Sequence, residues 1–130
     1  CIRDRIGDGI IVGIRNRISG CVFWPNQEYA NVTHALTGRE WPINTQTLNI
    51  TSGTNIPDGW LLATDGIQAI SCDYEKRVPV PGFAPALIDK LRLISNSSCK
   101  DAQSALEALL DSERVNAAVS DDKTIAVAFK

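Results

Sequence analysis

The sequence contains no methionine and a single histidine, and only 6% of its 130 residues are aromatic. It also lacks any apolar run approaching the roughly 20 residues that a membrane-spanning helix needs. No stretch has the basic start and short apolar core of a secretory signal. Lysine and arginine are scattered among acidic residues and the net charge is −2, whereas nucleic-acid binding usually shows clustered basic residues. These absences argue against a membrane or a nucleic acid as partner.

The four cysteines have spacings that fit no paired metal-binding pattern, and they are too sparse for a disulfide scaffold. We expect Cys21, Cys72 and Cys99 to be reduced and partly buried. The chain opens on Cys1, and we expect that a preceding part has been removed, either by biological processing or in the laboratory. The Cys1 thiol could be a nucleophile with its own α-amine as base, or the cut could leave it chemically idle. The single histidine, His34, is interpreted as a structural or surface residue.

Hydrophobic periodicity predicts an α+β protein with an antiparallel sheet and two helices packed on one face. The strands are predicted near residues 2–6, 10–12, 21–24, 47–51, 60–64 and 124–129. The Asp-Gly pair in residues 7–9 favours a hairpin between the first two. Helices are predicted at 66–71, at 84–95 and from Ser98, which forms a capping box with Asp101; residues 73–82 are predicted to be loop. One such sheet, of about five strands, would leave its second face bare, which hints at a missing partner piece.

Acidic residues stand at the ends of predicted strands. Asp65 follows an apolar strand, Asp121 and Asp122 precede the last strand, and Asp8 lies between two glycines. Carboxylates in such places can converge across neighbouring strands, and their oxygen atoms suit Mg²⁺ or Mn²⁺. The simpler interpretation is that Asp before Gly is a turn residue and that Asp before a strand is a solvated loop end. Spacing alone leaves both open.

Four short segments occur in order along the chain. They are "RIGDGIIV" at 5–12, "QEYANVTHAL" at 27–36, "DGWLLATDGI" at 58–67 and "SDDKTIAVAF" at 120–129. In this order they resemble the motifs of the protein phosphatase 2C family, in a bacterial-type branch. The resemblance extends over essentially the whole chain, but only to the C-terminal half of the family's domain.

The resemblance implies a four-layer α-β-β-α sandwich with a two-metal centre of Mn²⁺ or Mg²⁺ between its sheets. It implies that a metal-activated water attacks the phosphate of a phosphoserine or phosphothreonine. Asp65 and Asp121 would be direct metal ligands. Asp8, Gly66 and Asp122 would support them, although the family usually carries Asn at the position of Asp122.

The acids of the family's first half, including its DGxxG motif, have no counterpart in this sequence. We therefore expect residues 1–130 to form the C-terminal half of one domain. Its partners would be the N-terminal half, as a separate chain produced by proteolytic processing, and a phosphoprotein substrate. Alone, this chain is expected to be inactive, because two carboxylates leave most of a metal ion's positions unfilled.

Two other interpretations stay open at this point. The first is an inactive binding or scaffold module with the same fold, for which the partner half would lack the missing acids. The second is an autoprocessed hydrolase that uses Cys1. The bacterial-type segment also implies a bacterial signalling protein of the cytoplasm.

Overall fold

The computed structural model describes residues 2–5, 9–24, 46–49, 57–96 and 98–130. In these residues the chain forms β-strands, mostly before residue 80, and then helices and a final strand. The strands are β1 (Ile2–Arg5), β2 (Ile10–Arg15), β3 (Ile18–Phe23), β4 (Gln46–Asn49), β5 (Gly59–Ala63), β6 (Cys72–Asp73), β7 (Val78–Pro79) and β8 (Ile125–Phe129). The helices are α1 (Gln68–Ser71), α2 (Phe83–Ser95), α3 (Cys99–Leu110) and α4 (Glu113–Ala118), and a 3₁₀ turn, Asp65–Ile67, leads into α1. The predicted α+β class is confirmed.

The central sheet has the strand order β3-β2-β5-β8, and all neighbouring strands are antiparallel. A tight turn at Asn16 and Arg17 joins β2 to β3. Both turn residues have positive φ angles, 49° and 63°. Two left-handed residues in succession are the backbone of a type I′ turn, whose twist matches that of the flanking strands. This turn therefore positions the Arg17 side chain at one end of the sheet.

The predicted hairpin between the first two strands is wrong. β1 pairs with β4 in a separate two-stranded sheet. β2 has both its edges occupied, by β3 and by β5. The described strands therefore form one four-stranded and two two-stranded sheets, and not a single sheet of about five strands.

The core lies between the inner face of the central sheet and helix α2. Alternate residues of β2 and β5 point inward, as the two-residue period of a strand requires, and Leu61 is fully buried. A leucine buried to this extent contributes about 1.5–3 kcal/mol. The buried apolar residues of the sheet and α2 are Ile10, Val12, Ile14, Leu61, Ala63, Ala84, Leu87, Ile88 and Leu91. The predicted apolar face of residues 84–95 thus packs against the sheet.

The predicted cap of the next helix, α3, is also present. The Ser98 hydroxyl accepts a hydrogen bond from the Asp101 backbone amide over 3.4 Å. Two short elements were not predicted: the β6–β7 hairpin, which overlaps the expected loop at 73–82, and helix α4. Ser112 caps α4 by accepting from the Val115 amide over 3.4 Å, but six residues are too few for a periodic signal.

The outer face of the central sheet is apolar as well. The residues of β2, β5 and β8 that alternate with the inward-facing ones are Ile11, Gly13, Trp60, Leu62, Ala126 and Ala128. Leu62 remains 42% exposed. Strands that are apolar on both faces are typical of a sheet enclosed between two layers. Among the described residues, no helix is both long and apolar enough to cross a membrane.

Candidate functional site

The strand register brings three chain segments to one edge of the central sheet. The last residue of β5, Ala63, pairs with Ile125 at the start of β8 and with Ile10 at the start of β2. Since β5 runs antiparallel to both β2 and β8, the residues after β5 lie beside the residues before β8. We call residues 64–66 and 121–124 the carboxylate edge.

Thr64 ties the two segments of the carboxylate edge together. Its backbone amide donates to the Thr124 carbonyl over 3.1 Å. Its side-chain oxygen accepts from the Thr124 amide over 3.0 Å. The same hydroxyl lies 3.5 Å from the carbonyl oxygens of Thr124 and Asp122, to either of which it can donate. Thr64 thus extends the β5–β8 pairing one residue beyond the last ladder pair.

Gly66 lets the two segments approach closely. A Cβ atom placed on Gly66 would stand 2.2 Å from the Asp122 carbonyl oxygen and 3.5 Å from the carbonyl carbon of Asp121. Both are backbone atoms, which cannot swing away as a side chain can. Only glycine allows the turn after Asp65 to pack directly on the Asp122–Lys123 peptide group.

The two predicted ligands have the same local geometry. Asp65 Oδ1 accepts from the next amide, that of Gly66, over 2.9 Å. Asp121 Oδ1 likewise accepts from the Asp122 amide over 2.8 Å. Both aspartates are exposed. Neither Oδ2 accepts a hydrogen bond from any residue that the structure describes, so each carboxylate is held by one oxygen and presents the other.

The charge of this edge is uncompensated within the described part of the chain. No ion pair there involves Asp65, Asp121 or Asp122. The adjacent Lys123 directs its ammonium group to the Asn116 side-chain oxygen. The edge therefore carries adjacent negative charges and a negative potential that attracts cations.

The donor set is chemically suited to a hard divalent ion, but it is incomplete. Carboxylate oxygens are what Mg²⁺ and Mn²⁺ prefer. Among the described residues, no group of three or more His, Cys, Asp or Glu side chains could hold a metal ion. Asp65 and Asp121 can therefore supply only part of the coordination shell.

Of the remaining residues considered in the sequence, only Asp122 lies at the carboxylate edge among those that the structure describes. Asp8 and Cys1 lie outside the described residues, as does His34. Asp122 is exposed and contributes its carbonyl oxygen to the contacts with Thr64 and Gly66. Sequence reasoning missed Thr64, for which the only signal was a hydroxyl residue directly before the strand-end aspartate.

The two described thiols differ from each other. Cys72 is free and buried; burial raises the pKa of its thiol, against a smaller lowering effect of the Ser71 hydroxyl. It is a neutral thiol with low reactivity. Cys99 is free but exposed, so its predicted partial burial is wrong: it occupies the first position of α3, on the solvent side. The Cys21 side chain lies outside the description.

An antiparallel sheet backed by helices, with exposed aspartates at one edge, defines an α+β domain. The family model for protein phosphatase 2C matches residues 4–111, well over half of the chain. The chain therefore belongs to the protein phosphatase 2C family, and its function is of the phosphatase type. The match includes Asp65 and ends before Asp121. Members of the family generally depend on Mn²⁺ or Mg²⁺. No curated protein and no solved structure matches the chain.

Proposed function

We propose that the chain is part of a Mn²⁺- or Mg²⁺-dependent phosphatase that hydrolyses phosphoserine and phosphothreonine in proteins. Asp65 and Asp121 hold the metal centre in this proposal, and Gly66, Asp122 and Asp8 support it. The observation that carries the proposal is the placement of Asp65 and Asp121 on adjoining segments. Each has one oxygen fixed by its neighbour's amide.

Electrostatics favours a metal centre at this edge. A phosphate monoester is an anion, and the exposed carboxylates of Asp65 and Asp121 would repel it. Cations bound at this edge would reverse the local charge and allow the phosphate to approach. When bound, such ions lower the pKa of coordinated water and neutralise charge on the phosphate. The role of this chain's residues is to fix two carboxylates rigidly enough that the ions keep their geometry.

The openness of the edge favours a protein substrate. Asp65, Asp121 and Thr64 are all exposed. A phosphorylated side chain that projects from a protein surface can reach such an edge without entering a deep pocket.

The rest of the coordination shell is proposed to come from an N-terminal half of the domain, supplied as a separate chain. Two features support this. A hard ion needs about six oxygen ligands. At the carboxylate edge, Asp65 and Asp121 can supply only some of them, and the described residues contain no group of three or more side chains that could hold a metal ion. In addition, the apolar outer face is suited to a second sheet, at a usual sheet-to-sheet spacing of about 10 Å. A second layer there would bring further acids to the same edge.

The decisive experiment measures Mn²⁺-dependent hydrolysis of a phosphothreonine peptide by this chain combined with the N-terminal half. Loss of an outer-shell partner of a metal ligand typically costs 10–100-fold. We therefore expect Asp65→Asn and Asp121→Asn each to lower kcat/KM by at least about 100-fold, since they remove direct ligands.

The matched control is Asp58→Asn, which changes the same residue type at the opposite end of β5 and should leave activity within about threefold. Full activity of Asp65→Asn would refute the assignment of the site. A stable complex of the two halves that shows no hydrolysis with either metal would favour the scaffold interpretation.

A further inference from the structure

We infer that Thr64 is a positioning residue that sets the separation of the two metal-binding carboxylates. The inference rests on the proposed function, because it concerns the geometry that the metal centre would use. Thr64 directly precedes Asp65 in the chain, and its side chain contacts the segment that leads from Asp121 into β8. A single hydroxyl group therefore connects the supports of both carboxylates.

The backbone pairing alone does not fix the Asp121 segment. The β5–β8 ladder ends at the pair formed by Ala63 and Ile125, and Asp121 lies four residues before Ile125. Beyond the ladder, the Thr64 amide adds one bond to the Thr124 carbonyl. The amide of Thr124 then bonds to the Thr64 side-chain oxygen, at 3.0 Å, and not to a backbone carbonyl. The hydroxyl thus replaces the next ladder bond.

The hydroxyl can also act as a donor in the same place. Its two carbonyl neighbours, those of Thr124 and Asp122, both lie at 3.5 Å. The Asp122 carbonyl is the atom against which Gly66 packs. The Thr64 hydroxyl and the Gly66 backbone therefore hold the Asp122–Lys123 peptide group from two sides, one residue after Asp121. Loss of the hydroxyl would allow this peptide to rotate and Asp121 to move relative to Asp65.

The test is a Mn²⁺ titration, monitored by NMR, of this chain combined with the N-terminal half that is proposed to complete the coordination shell. Paramagnetic broadening of the Gly66 and Asp122 amide signals reports binding directly, because those amides donate to the two carboxylates. It detects weak binding and does not depend on catalysis. We expect Thr64→Val to raise the Mn²⁺ concentration for half-broadening by about tenfold, as loss of an outer-shell partner does, and Thr64→Ser to restore wild-type behaviour.

Thr124→Val is the matched control. It makes the same chemical change at an exposed residue that contributes only its backbone to these contacts, so its titration should match that of the wild type. Broadening of Thr64→Val at wild-type Mn²⁺ concentrations would overturn the inference. So would equal weakening by Thr64→Val and Thr124→Val. Unfolding by urea without metal separates a merely structural role, which would lower stability but leave the Mn²⁺ dependence unchanged.

The proposed function is tested separately in the same titration. The double variant with Asp65→Asn and Asp121→Asn should show no selective broadening of the two amides. If the wild type behaves like that double variant, the metal site itself is refuted, and the role of Thr64 falls with it. If the wild type binds and Thr64→Val binds equally well, only the positioning role is refuted.

Discussion

The two ends of the central sheet differ in whether their carboxylates have pairing partners. At one end, which we call the arginine end (Arg17, Asp58, Asp89, Arg92), each carboxylate has a protein partner. Arg17 Nη1 lies 2.5 Å from Asp89 Oδ2, and Asp58 Oδ2 accepts from the Asn16 amide over 3.3 Å. At the carboxylate edge, the described residues provide only the aspartates' own neighbouring amides. The negative charge is therefore paired at the arginine end and has no cationic partner among the described residues at the carboxylate edge.

The arginine end is a structural joint. Arg92 Nε donates to the Lys130 carbonyl over 3.0 Å, and its guanidinium carbon lies 5.5 Å from the centre of the Phe129 ring. Together with the Arg17–Asp89 and Asn16–Asp58 contacts, they connect α2 and the β2–β3 turn to the start of β5 and the end of β8. The carboxylate edge has no such charge pairing among the described residues, so nothing there offsets the negative charge of its aspartates.

The largest expected effect on stability comes from Gly66→Ala at the carboxylate edge. The new methyl group would stand 2.2 Å from a backbone carbonyl oxygen, so the two segments must separate. We expect the free energy of unfolding to fall by about 3 kcal/mol, at the upper end of overpacking effects. Urea denaturation measures this loss.

The control for that variant is Gly20→Ala, where a Cβ atom would meet nothing within 4 Å. Its stability should change by less than about 0.5 kcal/mol, as for other unconstrained surface positions. If both variants lose the same stability, close packing at Gly66 does not hold the carboxylate edge together.

A smaller effect is expected at the arginine end from Gly59→Ala. Here the new methyl group would stand 2.5 Å from Ile88 Cδ1, the flexible end of a side chain. We expect a loss of about 1–2 kcal/mol, since the isoleucine can change rotamer. Ile88→Val removes the clashing atom, and alone it should cost about 0.5–1.5 kcal/mol.

The double variant tests whether this clash is the cause. If it is, Gly59→Ala and Ile88→Val together should cost at least about 0.5 kcal/mol less than the sum of the single losses, the coupling expected for residues in contact. Simple additivity would show that Gly59 resists substitution for another reason. In that event the contrast between a rigid and a flexible neighbour at the two ends would not hold.

Local sequence signals predicted much of this molecule. The buried strand before Asp65, the final strand after Asp122 and the helix at 84–95 were all predicted within a residue or two, because their apolar patterns are strong. The same patterns placed Asp65 and Asp121 at strand ends, but the segments that carry them adjoin only because β5 pairs with β8. The cap of α3 was also predicted from a local signal, because Ser98 and Asp101 are only three residues apart.

Non-local pairing was not predictable in this way. The Asp-Gly signal in residues 7–9 favours a hairpin, but the competition for the two edges of β2 is decided by distant strands. The pairing of β1 with β4 has no local signature at all. The role of Thr64 was missed for a similar reason: its partner, the Thr124 amide, is 60 residues away, and many strand-end threonines make no such bond.

The smallest expected effect compares the charges at the two ends directly. Asp89→Asn removes the ion pair with Arg17, whose side chain is 75% exposed, so the loss should be below about 1 kcal/mol. Asp65→Asn, measured without metal, removes one unpaired negative charge while its side-chain oxygen can still accept from the Gly66 amide. Its stability should therefore stay within about 0.5 kcal/mol of the wild type or rise slightly.

Salt sharpens this last comparison. At 1 M NaCl the screening length is about 3 Å, so the deficit of Asp89→Asn should shrink and any gain of Asp65→Asn should disappear. Urea unfolding at low and high salt measures both. If Asp65→Asn destabilised the metal-free chain more than Asp89→Asn does, the carboxylate at the end of β5 would be a structural partner, and the contrast between a paired end and an open end would fail.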